Sequence, residues 1–278
     1  MTKRCYYFIS GLPRSGSTLL SAILRQNPEF YADITSPVQG IVENTIDFIT
    51  GCENNFNIME EHRKNILLSI FEGYYSNIQT PVIFDSSRSW TKNTTLLKKL
   101  FNYTKILCCV RDIPWIINSF EIILNKNCFY TKKLNEQILS GNISVRSNEI
   151  FNRNIIDSIN FLREGFSINP EMIYFVEYDN LCKNPEKEMK TIYKFLNKSY
   201  YPHDFENLQY SNENFDKFCN LKNLHTVRKK VEYKEQKKVL PPELWQRYEN
   251  MNIEFWKKEY NLCSDTIKNP INNSIWYQ

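Results

Sequence analysis

No run of 18 consecutive apolar residues occurs anywhere in the 278-residue sequence, so no segment of it reads as a membrane-spanning helix. Its eight cysteines, at positions 5, 52, 108, 109, 128, 182, 219 and 263, form no CxxC pair, which argues against a zinc site; no metal is expected. The sequence also lacks a large excess of either charge. A net charge of +4 excludes nucleic-acid binding driven by bulk charge, while a local basic pocket for a small polyanion needs no more. No internal repeat or low-complexity linker interrupts the sequence. A strand pattern begins almost at Met1 and leaves no room for a targeting segment, so the expected protein is soluble and cytoplasmic. The cysteines then read as reduced, mostly buried small residues, a disulfide or two among the outer ones being the alternative.

What is present is an ordinary globular composition, 42% hydrophobic and 24% charged, at a length that suits one large α/β domain. We read residues 1–278 as a single domain, with helical insertions at about 37–76 and 125–166 and a C-terminal cap and helix at about 220–262. Apolar runs predict strands at about 4–10, 30–32, 80–84, 105–110 and 172–176. Helical patterns fall between and after them, at about 17–26, 39–49, 62–76, 94–101, 115–125, 148–166, 185–196 and 244–260. Strands alternating with helices predict a central parallel sheet flanked by helices on both faces, a three-layer α/β sandwich. In such sheets ligands bind beyond the carboxyl ends of the strands, so the loops after Ile9, Phe84, Val110 and Val176 should meet at one site.

The first of these loops carries the strongest signal. Gly11 to Thr18 reads G-L-P-R-S-G-S-T between an apolar strand and an amphipathic helix start. Free backbone N–H groups at such a helix start, together with the helix dipole, form an anion site. The glycine spacing and Thr18 match the nucleotide-triphosphate loop G-x-x-x-x-G-K-[ST], but Ser17 stands where the lysine belongs. The cation of the loop is Arg14, three residues earlier. A Gly/Pro/Ser turn without a ligand is the bland alternative.

The segment P-R-S-G-S-T resembles the 5′-phosphosulfate loop of sulfotransferases, in particular their tyrosylprotein and carbohydrate branches. The resemblance implies a P-loop-like fold and the donor PAPS (3′-phosphoadenosine-5′-phosphosulfate), with PAP as product. Arg14, Ser15, Gly16, Ser17 and Thr18 would hold its 5′ end. Arg111 at the end of K-I-L-C-C-V, followed eight residues later by Ser119, resembles the family's 3′-phosphate site, where a guanidinium fork and a hydroxyl suit a phosphate. Arg111 paired with a nearby carboxylate is the alternative. Tyr178, in V-E-Y-D-N-L, matches a family tyrosine that approaches the 3′-phosphate, and L-H-T-V-R-K-K resembles the basic cap loop, with Arg228 and Lys229 as candidate contacts. A solvated charge run is the alternative for the cap.

The implied reaction is in-line transfer of a sulfonate group to an acceptor hydroxyl or amine, the acceptor being a carbohydrate, a tyrosine or a small alcohol. Arg14 would stabilise charge on the departing nucleotide. A general base is expected as well. The family's acidic segment after the first helix is replaced here by Y-A-D-I-T-S-P, which makes Asp33 the first candidate, with Glu43, Asp85 and His225 also open. Arg88 is a candidate contact for the sulfonate or an anionic acceptor. Two competing readings remain at this level: a P-loop kinase acting on a small molecule, and a non-catalytic PAP-binding protein.

Overall fold

The computed structural model describes residues 4–126, 142–210, 216, 225, 227–251 and 255–257, and every structural statement below concerns these. Strand β1 (Cys5–Gly11) leads through the anion loop into helix α1 (Ser17–Leu24), followed by β2 (Phe30–Ala32), α2 (Val38–Thr50), α3 (Cys52–Asn57) and α4 (Glu60–Tyr74). Then come β3 (Val82–Ser86), α5 (Thr94–Leu100), β4 (Ile106–Val110) and α6 (Ile113–Lys126). Helix α7 (Ile143–Ile150), a π-helical stretch (Phe151–Ile155) and α8 (Ile156–Ile168) run on to β5 (Ile173–Glu177), α9 (Tyr178–Lys183), α10 (Pro185–Phe195) and α11 (Pro242–Glu249).

The strands form one sheet in the order β2-β3-β1-β4-β5, and every neighbouring pair is parallel. Parallel strands of this kind are covered on both faces, and the sequence obeys the two-residue alternation this requires. Tyr6, Phe8, Ile106, Cys108 and Val110 enter one apolar cluster with Val42, Phe71, Ile116 and Ile159 of α2, α4, α6 and α8. Tyr7, Ile9, Leu107 and Cys109 enter the other, with Leu20 and Ile23 of α1 and Met189 and Ile192 of α10. The fold is therefore the expected three-layer α/β sandwich.

Three local expectations need correction. Strand β3 runs two residues past Phe84, so Asp85 is a strand residue rather than a loop acid. The single helix expected over 148–166 is instead α7, a π turn and α8. The helix expected over 244–260 is described as α11 from Pro242, and 252–254 and 258–260 lie outside the described residues. Part of the expected cap segment (220–224 and 226) and part of the insertion at 125–166 lie outside them too. Cys5, Cys108, Cys109 and Cys182 are free thiols, the last three buried. No helix among the described residues is long and apolar enough to cross a membrane.

Candidate active site

A cleft of about 970 Å³ opens at the carboxyl ends of the strands. It is lined by the anion loop, the turn after β3, Arg111, Ser119, Tyr178, His225 and Arg228. The sequence drives its construction. Gly11, at φ 118°, ends β1 so close to β4 that a Cβ would lie 2.1 Å from the Cys109 carbonyl oxygen. The backbone then turns through Arg14, itself in the left-handed region at φ 58°, to Gly16 at φ 94°, which caps α1. A Cβ on Gly16 would meet the Tyr178 ring at 2.8 Å, so this glycine permits the close approach of loop and ring. Ser15 is buried and its Oγ donates to the Pro13 carbonyl at 3.3 Å; it shapes the loop and does not line the cleft. Ser17 and Thr18 begin α1 and do line it, in the turn whose backbone N–H groups lack intrahelical partners.

The cations converge. Arg14 Nε donates to Ser119 Oγ at 3.2 Å, which joins the loop after β1 to α6 directly. Burial, and then the neighbouring charge of Arg111, lower the Arg14 pKa to about 10. Arg111 is 7% exposed, its guanidinium lies over the Tyr178 ring at 4.2 Å, and its buried Nε has no hydrogen-bond partner among the described residues. Burial likewise lowers its pKa. The Tyr178 hydroxyl is pushed up to about 12, by burial first and then by Cys182, so it stays a neutral donor.

The turn after β3 is held against β1. Ser87 N–H donates to the Ile9 carbonyl at 3.0 Å and Ser10 Oγ donates to the Arg88 carbonyl at 2.8 Å. Arg88 thereby reaches the cleft beside the loop. Beneath it sits Asp85, 0% exposed, which accepts from Ser36 Oγ at 2.7 Å, Tyr75 OH at 2.6 Å and Trp90 Nε1 at 2.6 Å. Three scaffold groups donate to Asp85, which has no share in the cleft wall and anchors the turn.

A strap over residues 227–240 closes one side. Leu208 N–H donates to the Lys229 carbonyl at 2.5 Å and Val231 N–H to that of Phe205 at 2.8 Å. At its other end buried Asn118 donates to the Lys237 carbonyl at 3.0 Å and accepts from Val239 N–H at 2.8 Å. Arg228 and Lys230 of the strap line the cleft, Lys230 while paired with Glu206 at 2.7 Å. Lys229 does not line it, and its side chain is exposed.

The first candidate base is likewise misplaced. Asp33 is not part of the cleft wall, and its carboxylate accepts from Tyr210 OH at 2.6 Å and Ile34 N–H at 2.7 Å. It ties the 200–210 segment to the residues after β2. Glu43 is engaged on α2 by Lys92 at 2.5 Å and Asn93 at 3.1 Å, away from the cleft. Of the four candidates, His225 borders the cleft, with its Nδ1 2.7 Å from Asp216 Oδ1. Asp216 escaped sequence reasoning because no motif surrounds it. Asn118 did too, since an asparagine in an apolar helix carries no signal until its partners are known.

The protein-family model described as "Sulfotransferase family" matches residues 7–202, well over half of the sequence. No curated protein matches the sequence. Among solved structures, the sulfotransferase domain from the curacin biosynthetic pathway is 18% identical, with 72% of this chain and 75% of that one covered and a TM-score of 0.48. The sulfotransferase domain of the Synechococcus PCC 7002 olefin synthase is 16% identical over 90% and 95%, at 0.45. Mouse sulfotransferase SULT7A1, complexed with PAP, is 14% identical over 96% and 85%, at 0.44. Scores below 0.5 add no weight of their own, and the assignment rests on the family model, in agreement with the parallel sheet and the loop geometry. The protein belongs to the sulfotransferase family.

Proposed function

We propose that the protein, acting as one domain, transfers a sulfonate group from PAPS to an acceptor hydroxyl or amine. The donor supplies a sulfur–oxygen bond already activated for cleavage. The observation that carries the reading is Arg111: a residue 7% exposed, bordering the cleft, whose Nε has no partner among the described residues. A buried donor without an acceptor costs about 1–3 kcal/mol, more when charged. A phosphate oxygen is the acceptor that matches a planar guanidinium best. Arg111 is thus the reader of the donor's 3′-phosphate, held flat by the Tyr178 ring and assisted by Ser119 and Arg228.

At the other end, Arg14 and the N–H groups of the Gly16–Thr18 turn hold the 5′-phosphosulfate. Arg14 retains its proton at neutral pH, since its pKa stays near 10. A preorganised cation there stabilises charge that grows as the nucleotide departs, and removing such a donor typically costs about 10²–10³ in rate. The Arg14–Ser119 hydrogen bond couples both ends, so a donor lacking either phosphate fits incompletely.

Thermal stabilisation by PAP tests the reading, with ATP–Mg²⁺ and 5′-AMP as controls. A ligand at 100 times its Kd adds about 2.7 kcal/mol of stability. The expected result is a large shift with PAP and a small one with 5′-AMP. Equal shifts with ATP–Mg²⁺ and PAP would refute the reading and favour a kinase.

A further inference from the structure

The donor reading uses one part of the cleft wall and leaves the rest without a task. Helix α6 starts just after Arg111 and passes Ser119, which holds Arg14. Phe120, Ile123 and Leu124 line the cleft beyond it, Ile123 one turn or roughly 6 Å further along the axis. Helix α7 is clamped to α6 at this point. Glu121, 0% exposed, accepts from Arg146 Nε at 3.1 Å and from a terminal guanidinium nitrogen at 2.9 Å. Tyr248 OH fixes the other side of α7, donating to Ser147 Oγ at 3.2 Å and Asn148 Oδ1 at 3.0 Å.

The clamp positions the π turn that follows. The buried residues of α7 and α8 are Ser147, Ile150, Ile155, Ile159 and Leu162. Steps of three and four keep an α-helical stripe on one face, and the step from Ile150 to Ile155 is five. The π turn absorbs the extra residue, so the apolar stripe stays on the core while the turn swells on the cleft side. In an unbroken α-helix Asn154 and Asp157 share the face of Ile150, whereas a residue two places on does not. Here Asn152 lines the cleft together with Asn154 and Asp157. None of these three side chains has a hydrogen bond or ion pair among the described residues. The cation of the turn, Arg153, is engaged by Glu149 at 2.5 Å. Single π turns inside α-helices occur frequently at functional sites.

We propose that this π turn selects the acceptor, and that it takes a small molecule bearing two or more free O–H or N–H groups on an apolar body. The inference rests on the PAPS reading above, since in-line transfer puts the acceptor beyond Arg14, opposite the departing nucleotide. Each carboxamide offers both donors and an acceptor, while the Asp157 carboxylate only accepts. Asn152, Asn154 and Asp157 together match a head rich in donors, a polyol or an amino alcohol. Phe120, Ile123 and Leu124 take its hydrocarbon. An acidic peptide would bring its charges against Asp157, which has no counter-ion among the described residues.

The test measures PAP release from PAPS with three acceptors: octyl β-glucoside as the polyol, 2-amino-1-phenylethanol as the amino alcohol, and a tyrosine peptide flanked by glutamates. At least one small acceptor should show a kcat/KM ten times or more that of the peptide. If the polyol is used, Asn152→Ala and Asn154→Ala should each raise its KM about tenfold, the size of one or two lost hydrogen bonds. If the amino alcohol is used, Asp157→Asn should raise its KM by about tenfold or more, and Asp157→Lys should turn preference toward the peptide. In each case the loss falls on KM rather than kcat, and thermal stabilisation by PAP is retained, which shows that the variants fold and keep the donor site. Preference of the wild type for the peptide, an acceptor KM unchanged in all of the variants, or no turnover of either small acceptor by a protein that PAP stabilises would each overturn the proposal. A wild-type protein indifferent to PAP would instead sink the donor reading, and the acceptor assignment with it.

Discussion

Replacing Arg111 by methionine, which keeps most of the side-chain volume, should move stability and ligand affinity in opposite directions. Arg111 is a buried cation whose Nε has no hydrogen-bond partner among the described residues. Its charge also helps to lower the Arg14 pKa to about 10, second to burial as a cause. An apolar side chain of similar size removes that repulsion, and such replacements of buried charge are often neutral or stabilising. Against this stands the lost contact with the Tyr178 ring, about 0.5–2 kcal/mol. The terms nearly cancel, so Arg111→Met should melt within a few degrees of the wild type or slightly above it. PAP affinity has no such compensation. One or two hydrogen bonds from a charged donor, at about 1.5–3 kcal/mol each, correspond to at least a tenfold loss and to roughly 10²-fold at about 3 kcal/mol. The affinity for 5′-AMP, which has no 3′-phosphate, should change by less than about threefold on the same scale. Titration calorimetry with both nucleotides on both proteins measures the ratio. Equal weakening toward PAP and 5′-AMP, or undiminished PAP affinity, would show that Arg111 does not read the 3′-phosphate.

Gly16→Ala should damage the same pocket from the other side: its Cβ would stand 2.8 Å from the Tyr178 ring in a backbone conformation that costs an L-residue about 1–2 kcal/mol. A rise in the apparent KM for PAPS is expected, with far-ultraviolet circular dichroism unchanged, and an unaltered KM would mean that Tyr178 does not hold Arg111 in place. His203, 9% exposed, has a pKa lowered by burial from 6.5 to about 4. A lowered value in the folded state means that the neutral ring's contribution is complete above about 6.5 and is lost as pH falls toward 4, in total about 3 kcal/mol. Urea unfolding of His203→Gln at pH 7 and pH 4.5 should therefore show a smaller acid-side loss than the wild type; equal losses would place the acid sensitivity elsewhere.

The sheet was legible in the sequence because burial on both faces leaves its mark on every strand residue. Tyr6 and Phe8 go to one cluster, Tyr7 and Ile9 to the other, and the run reads as continuously apolar. The loop after β1 was legible for a different reason. A loop that binds phosphate through backbone needs glycine at fixed positions, and Gly11 and Gly16 both have positive φ. The acid–base side was not legible, because carboxylates identical in sequence terms are sorted only by their partners. Asp85 looks like a loop acid until β3 extends through it and three donors surround it. Asp33 looks like a base until Tyr210, 177 residues away in sequence, occupies it. Asp216 has no pattern at all, and only folding brings it to His225. The π turn at Phe151–Ile155 escaped for a similar reason, since one extra residue in a turn hardly disturbs an apolar stripe.

The sheet order also has a consequence for how the molecule breathes. β1 lies in the middle, flanked by β3 and β4, while β2 and β5 form the edges. Amide protons of a central strand exchange only through large openings, whereas edge strands open locally at lower cost. The loop that ends at Gly16 hangs from the strand least exposed to such openings. Fluctuations that fray β2 or β5 therefore leave the Gly11–Gly16 loop assembled, and a ligand arriving at a partly opened molecule still meets a finished cleft wall. In exchange experiments the amides of Phe8 and Ile9 should rank among the slowest in the sheet, with those of Tyr31 among the first to go.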